Sequence, residues 1–270
     1  MVASHQNVAV ANPIRLVSFN LSKDQRALEF GNIGQVLGLS SMSRNPALSY
    51  HSKLEGSVPA MRSATETILR FAPDLVLVGA HDARYTISIP SNAGMRIQVL
   101  PQWNTLAETK MGVIEAAASM GHGTSGSELV VDIDRSLANL RNLLARMVAD
   151  LSFLLLQRRG YAQREGVTTE VLEHVGLRDA SDQFALTIGG AFVPIEKLIA
   201  ARPDYLVVSE ALTVAEDQGQ TIFLHPTMRR LYPAGKRLIV PDVFFICPGP
   251  STPTLIDQIR RQIEEKVILK

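Results

Sequence analysis

The sequence predicts an α/β protein: two Rossmann-like lobes with parallel sheets, joined by one long interlobe helix. Short apolar runs alternate with helical patterns from Ile14 onward, as strands of a sheet covered on both faces do. A single apolar stripe of helical period runs through the middle of the chain. The segment that leads into one strand of the first half also recurs in the second half.

In the first half the expected strands are RLVSF (15–19), VLGL (36–39), LVLV (75–78) and IQVL (97–100). Between the first two, SKDQRALEFG reads as a helix with Ser22 as its N-cap and Gly31 at its end, and ATETILRF leads into Pro73. Leu129, Ile133, Leu137, Leu140, Leu144 and Met147 form the stripe, predicting a helix over 127–150 that runs along both lobes. FLLLQ (153–157), YLVV (205–208) and LIV (238–240) are the expected strands of the second half. The domain organisation expected is therefore a lobe over 14–126, the helix over 127–150 and a lobe over 151–270.

The repeat pairs TETILRFAPDLVLV (65–78) with IEKLIAARPDYLVV (195–208), aligning Glu66 with Glu196, Pro73 with Pro203 and Asp74 with Asp204. Each copy is a helix that stops at Pro-Asp and turns into a buried strand, since the residue before proline disfavours the helical region. Two lobes of similar topology are the reading that explains both copies.

Composition narrows the function classes. The 270 residues carry 27 basic and 26 acidic side chains, a net charge of +1, which gives no electrostatic drive toward nucleic acid. Cys247 is the only cysteine, so there is no internal disulfide and no thiolate metal cluster. No apolar run reaches the roughly 20 residues that span a bilayer. The N-terminal MVASHQNVAVANP lacks a charged and then apolar signal segment, so an exported protein with this start is expected to be a mature form with an added or retained Met1.

Over most of its length the chain resembles the periplasmic solute-binding proteins of the iron-siderophore, haem and cobalamin ABC importers, whose lobes are linked by one rigid helix. The resemblance rests on IRLVSFNLSKDQRALEFG, VLGLSSMSRNP, ETILRFAPDLVLVGA, TTEVLEHVGLRDAS, IEKLIAARPDYLVVS and LIVPD, in that order around the long helix. It implies a periplasmic, monomeric binding protein, not an enzyme and without a resident cofactor. The implied partners are an ABC importer permease dimer and an iron-siderophore ligand, with cobalamin or haem as alternatives. In that family a surface glutamate on each lobe meets permease arginines; the matching positions are Glu66 and Glu196.

In such sheets ligands bind beyond the carboxyl ends of the strands. The loops so placed supply Asn20, four arginines (Arg44, Arg84, Arg158 and Arg159), and the ring-bearing residues Tyr50, His81, Tyr85, Trp103, Tyr161, Phe244 and Phe245. Guanidinium groups suit the oxygen-rich shell of an anionic ferric chelate, and aromatic rings suit a flat or apolar ligand edge. That arginine set orders the ligand expectation: ferric siderophore first, then cobalamin, then haem. A phenolate of Tyr85 or Tyr161, or the His81 imidazole, is the candidate for haem iron, but nothing in their spacing marks a metal site.

The enzyme alternative is a two-lobed transferase or chelatase-like protein using the same cleft, with Asp242 and Glu210 as a candidate carboxylate pair. GHGTSG (121–126) matches the dinucleotide fingerprint formally, yet it follows a helical pattern where the fingerprint needs a strand. It reads better as a flexible connection into the long helix. The six histidines show no metal-ligand spacing, and there is no HExxH, GxSxG or Walker loop.

Overall fold

The computed structural model describes residues 14–32, 34–53, 58–61, 70–80, 95–145, 150–157, 160–184, 186, 189–209 and 221–268. Its first sheet is parallel throughout, with β1 (Leu16–Ser18), β2 (Val36–Ser40), β3 (Ala60–Met61), β4 (Leu75–Val78) and β5 (Arg96–Val99) in the order β3-β2-β1-β4-β5. α1 (Leu21–Phe30) follows β1, and α2 (Leu106–Ser119) follows β5 behind a capping box of Thr105 and Glu108. Along β4 the side chains alternate between two cores, Leu75 and Leu77 on one face and Val76 and Val78 on the other. An all-apolar strand is what a sheet covered on both faces requires.

α3 (Gly123–Leu144) buries Leu129, Ile133, Leu137, Leu140 and Leu144, the stripe read from the sequence, over a length of about 33 Å at 1.5 Å per residue. Met147 lies outside the described residues. The helix starts earlier than expected: Gly123 and Gly126 are in its first turns, and GHGTSG is not a flexible connection. The cause is packing, because a Cβ on Gly126 would lie 2.8 Å from the Ala117 Cβ and 3.0 Å from the Val113 carbonyl oxygen. Glycine there lets α2 and α3 approach closely.

The second sheet is built from β6 (Ser152–Gln157), β7 (Tyr161–Gln163), β8 (Arg178–Asp179), β9 (Ala191–Phe192), β10 (Tyr205–Ser209) and β11 (Arg237–Val240). β11, β10, β6 and β8 run parallel, while β7 and β9 add an antiparallel ribbon along the edge of β6 away from β10. The sheet is thus mixed, a parallel frame of the expected strands carrying short strands that the sequence pattern did not announce. Its helices are α4 (Val167–His174), α5 (Ile195–Ala201), α6 (Thr221–Leu224), α7 (Pro226–Leu231), α8 (Asp242–Ile246) and α9 (Thr252–Ile263).

The Pro-Asp repeat has the same geometry in both lobes. Ala72 and Arg202, the residues before the prolines, have φ of 42° and 48°, the left-handed region, so each chain turns out of its helix at that residue. The aspartate then reaches back to the first strand of its own lobe. The Arg15 amide donates to Asp74 Oδ2 at 2.9 Å, and the Ser152 amide and hydroxyl donate to Asp204 Oδ2 at 2.8 and 2.7 Å. In each lobe the strand after Pro-Asp then pairs in parallel with that first strand.

Partial burial would raise the Asp204 pKa, but the Ser152 amide and hydroxyl outweigh it and hold the carboxyl below the ordinary aspartate range. A folded pKa below the unfolded one stabilises the fold above the ordinary value of 3.8, and that stabilisation is lost as pH falls through the folded value. Asp204→Ala is therefore expected to lower unfolding free energy by about 1–2 kcal/mol at neutral pH. In denaturant titrations the gap to the parent should narrow as the pH drops below 3.8; a gap independent of pH would contradict this account.

One core runs through the whole molecule. It joins Leu16, Leu75 and Leu77 of the first sheet to Phe153, Leu155, Val207 and Leu238 of the second through Ile133 and Leu137 of α3 and Leu255, Ile256 and Ile259 of α9. The second sheet's outer face, with Leu154, Leu156, Leu206 and Val208, packs on Leu198 of α5 in a core of its own. Among the described residues, no helix is long and apolar enough to cross a membrane.

Candidate ligand-binding cleft

Loops from both lobes meet around a recess of about 50 Å³. Gln102, Trp103 and Asn104 come from the turn after β5, Phe244, Phe245 and Pro248 from the segment after β11, and Gln163, Gly166, Val167 and Thr168 from the β7–α4 connection. Two of these walls stand at carboxyl ends of parallel strands, where α/β sheets place ligands. Pockets for small-molecule ligands measure about 300–1,000 Å³, so this recess alone is too small to enclose a chelate.

The segment after β11 is pressed against the first lobe. Tyr50 Oη lies 2.8 Å from Thr254 Oγ1, its ring 6.0 Å from Phe244, and Gly249 sits against the Trp103 indole, where a Cβ would be 2.8 Å from Cζ3. Trp103 is 3% exposed and carries the Arg26 guanidinium 3.3 Å from its ring centroid. Arg26 Nη1 and Nη2 donate to the Pro101 carbonyl at 3.2 and 3.3 Å, while Nε has no hydrogen-bond partner. Burial brings the Arg26 pKa down to about 9 and pushes the nearby Cys247 thiol up to about 12. The buried thiol is thus protonated at neutral pH.

Several residues expected at the ligand have structural work at this junction. Asn20 is the N-cap of α1, its Oδ1 accepting from the Ser22 amide at 3.0 Å, so the cap lies two residues before the Ser22 expected from sequence. Arg44 is exposed and donates through Nη2 to the Val58 carbonyl at 3.0 Å. Phe244 is 5% exposed and belongs to the shared core, with Phe245 packed against it; both still border the recess, as does Trp103. Tyr161 is half-buried on β7, edge-to-face with Phe192 at 5.3 Å. His81, Arg84, Tyr85, Arg158, Arg159, Glu66 and Glu210 lie outside the described residues. Glu196 is exposed in the first turn of α5.

Sequence reasoning missed Gln163, Gly166 and Thr168, because β7 and the turn after it carry no apolar pattern. GHGTSG follows α2, a helix, so the dinucleotide fingerprint lacks its strand. Among the described residues, no group of three His, Cys, Asp or Glu side chains is placed to hold a metal ion.

No protein-family model and no curated protein matches the chain. Solved structures do. A periplasmic heme-binding protein from Roseiflexus superposes with a TM-score of 0.72 at 19% identity, covering 94% of this chain and 98% of its own. A periplasmic binding protein from Veillonella parvula gives 0.72 at 17% identity, with 94% and 92% covered. The chain has the fold of the two-lobed periplasmic binding proteins. A possible iron-binding, periplasmic solute-binding protein from Staphylococcus epidermidis shares this fold as well, with a TM-score of 0.72 at 15% identity over 92% of this chain and 98% of its own.

Proposed function

We propose that the chain is the solute-binding component of a bacterial ABC importer, acting outside the cytoplasm and capturing an iron chelate between its lobes. The carrying observation is the recess lined from both lobes at the carboxyl ends of strands, in a chain with the fold of periplasmic binding proteins. Residues 14–126 and 151–270 are the lobes of this reading, and the helix expected over 127–150 corresponds to α3 at Gly123–Leu144. Capture and handover, without chemical turnover, are what this reading asks of the molecule.

A ferric siderophore is the first ligand, because the sequence puts Arg84, Arg158 and Arg159 shortly after strand segments, and their positive charge complements an anionic chelate. Haem is the second reading, supported by neighbours that are themselves periplasmic heme-binding proteins, such as those from Roseiflexus and Pseudomonas aeruginosa. Cobalamin remains an alternative on the resemblance alone. Native mass spectrometry and absorbance spectra of protein purified from its own periplasm test the assignment. A bound coloured iron chelate is expected; a bound sugar, amino acid or peptide would contradict it.

Glu66 and Glu196 are proposed to dock on arginines of the permease dimer, one from each lobe. The exposure of Glu196 at the start of α5 supports its half. Replacing both by Ala should change stability by less than about 0.5 kcal/mol and leave ligand affinity unchanged. Uptake through the permease should fall about tenfold or more, the equivalent of losing about 1.4 kcal/mol of docking energy. Loss of ligand binding by the purified variant would instead move these residues into the site.

A further inference from the structure

We propose that Phe192 and Tyr161 form an aromatic wall of the cleft that recognises its ligand through a flat π surface; this rests on the solute-binding reading above. Phe192 is 67% exposed, a large apolar side chain left in water on an edge strand. Single exposed apolar residues are ordinary, but this one has a defined orientation.

Phe192 stands directly opposite Tyr161 in the antiparallel β7–β9 register, and opposed residues share a face of the sheet. Tyr161 and Gln163 are two apart on β7 and also share that face. Gln163 lines the recess together with Gln102 and Trp103 of the other lobe. The exposed phenyl ring therefore stands on the sheet face that borders the cleft, beyond the end of the packed core.

The ribbon is shaped to hold the two rings there. Tyr161 meets Phe192 edge-to-face, with centroids 5.3 Å apart and planes at 81°, which fixes the phenyl ring by its neighbour. Gly190 has φ of 129°, and a Cβ on it would fall 2.9 Å from Tyr161 Cε1, so glycine lets β9 close against the tyrosine. Gly160, with φ of 76°, turns the chain into β7 just before Tyr161. A pair of rings mounted this way favours a ligand with an aromatic plane, a catecholate ring or a porphyrin, over an aliphatic chelate of the same charge.

The test titrates parent, Phe192→Ala and Phe192→Tyr with three probes: a ferric tris-catecholate, a ferric tris-hydroxamate and hemin. Phe192→Ala should weaken an aromatic probe about tenfold, Phe192→Tyr should retain its affinity, and hydroxamate affinity should move by less than twofold. Unchanged affinity for every probe, an equal loss for all that bind, or binding of the hydroxamate alone by the parent would overturn the aromatic wall. Binding of none of the three by the parent would overturn the iron-chelate part of the solute-binding reading, and the wall with it.

Discussion

Trp103→Ala is expected to cost about 3–5 kcal/mol of unfolding free energy, the range for truncating a large buried aromatic. The indole is enclosed from both lobes. Gly112 of α2 lies so close that a Cβ there would sit 2.0 Å from the ring, and Gly249, after β11, closes the other side. Removing the ring opens a cavity between two backbones that cannot collapse without moving α2 or the 248–250 turn. It also strips the buried Arg26 guanidinium of the surface on which it lies. Because the shared core joins both lobes, denaturant unfolding should remain one transition with a lower midpoint. A loss under about 1 kcal/mol would mean that the junction is open in solution.

Gly190→Ala should destabilise by about 3 kcal/mol, through backbone strain and a clash that add together. Its φ of 129° suits glycine, and a Cβ would lie 2.2 Å from the Ala162 carbonyl oxygen. Gly189 provides the control: its φ is 90°, but a Cβ there meets nothing within 4 Å. Gly189→Ala should therefore cost only about 1 kcal/mol, from strain alone. Equal losses for the two substitutions, measured by chemical denaturation, would show that the β7–β9 ribbon does not close as described.

Much of the frame was legible because its strands are apolar runs between helical patterns. β1, β2, β4, β5, β6, β10 and β11 fall where the sequence placed strands. β3, β7, β8 and β9, each of two or three residues, are too short to show alternation, and their pairing is set by contacts distant in sequence. The repeat was legible at Pro-Asp because that dipeptide performs a local task twice, turning the chain and anchoring the first strand of each lobe. Gly126 was misread because a glycine that admits a neighbouring helix looks, in sequence, like one that loosens a loop.

The site was less legible for a related reason. A loop aromatic beyond a strand end is compatible with a ligand or with the core, and Trp103 and Phe244 are buried while bordering the recess. Asn20 likewise reads as a loop amide until the amide of Ser22 is found on its side chain. Phe192 gave no signal, since its exposure follows from pairing with Tyr161 and not from its neighbours in sequence.

Trp103 also supplies the most direct test of function. It is the only tryptophan of the chain and lines the recess, so its fluorescence reports on what enters the cleft. Titrating the purified protein with a ferric catecholate, a ferric hydroxamate and hemin should give saturable quenching by at least one of them at a 1:1 ratio. The midpoint should lie at or below about 1 μM, a binding free energy of about −8 kcal/mol or stronger. Linear, non-saturating quenching by all three, the signature of collisions and absorbance alone, would contradict the assignment of this chain as an iron-chelate binding protein.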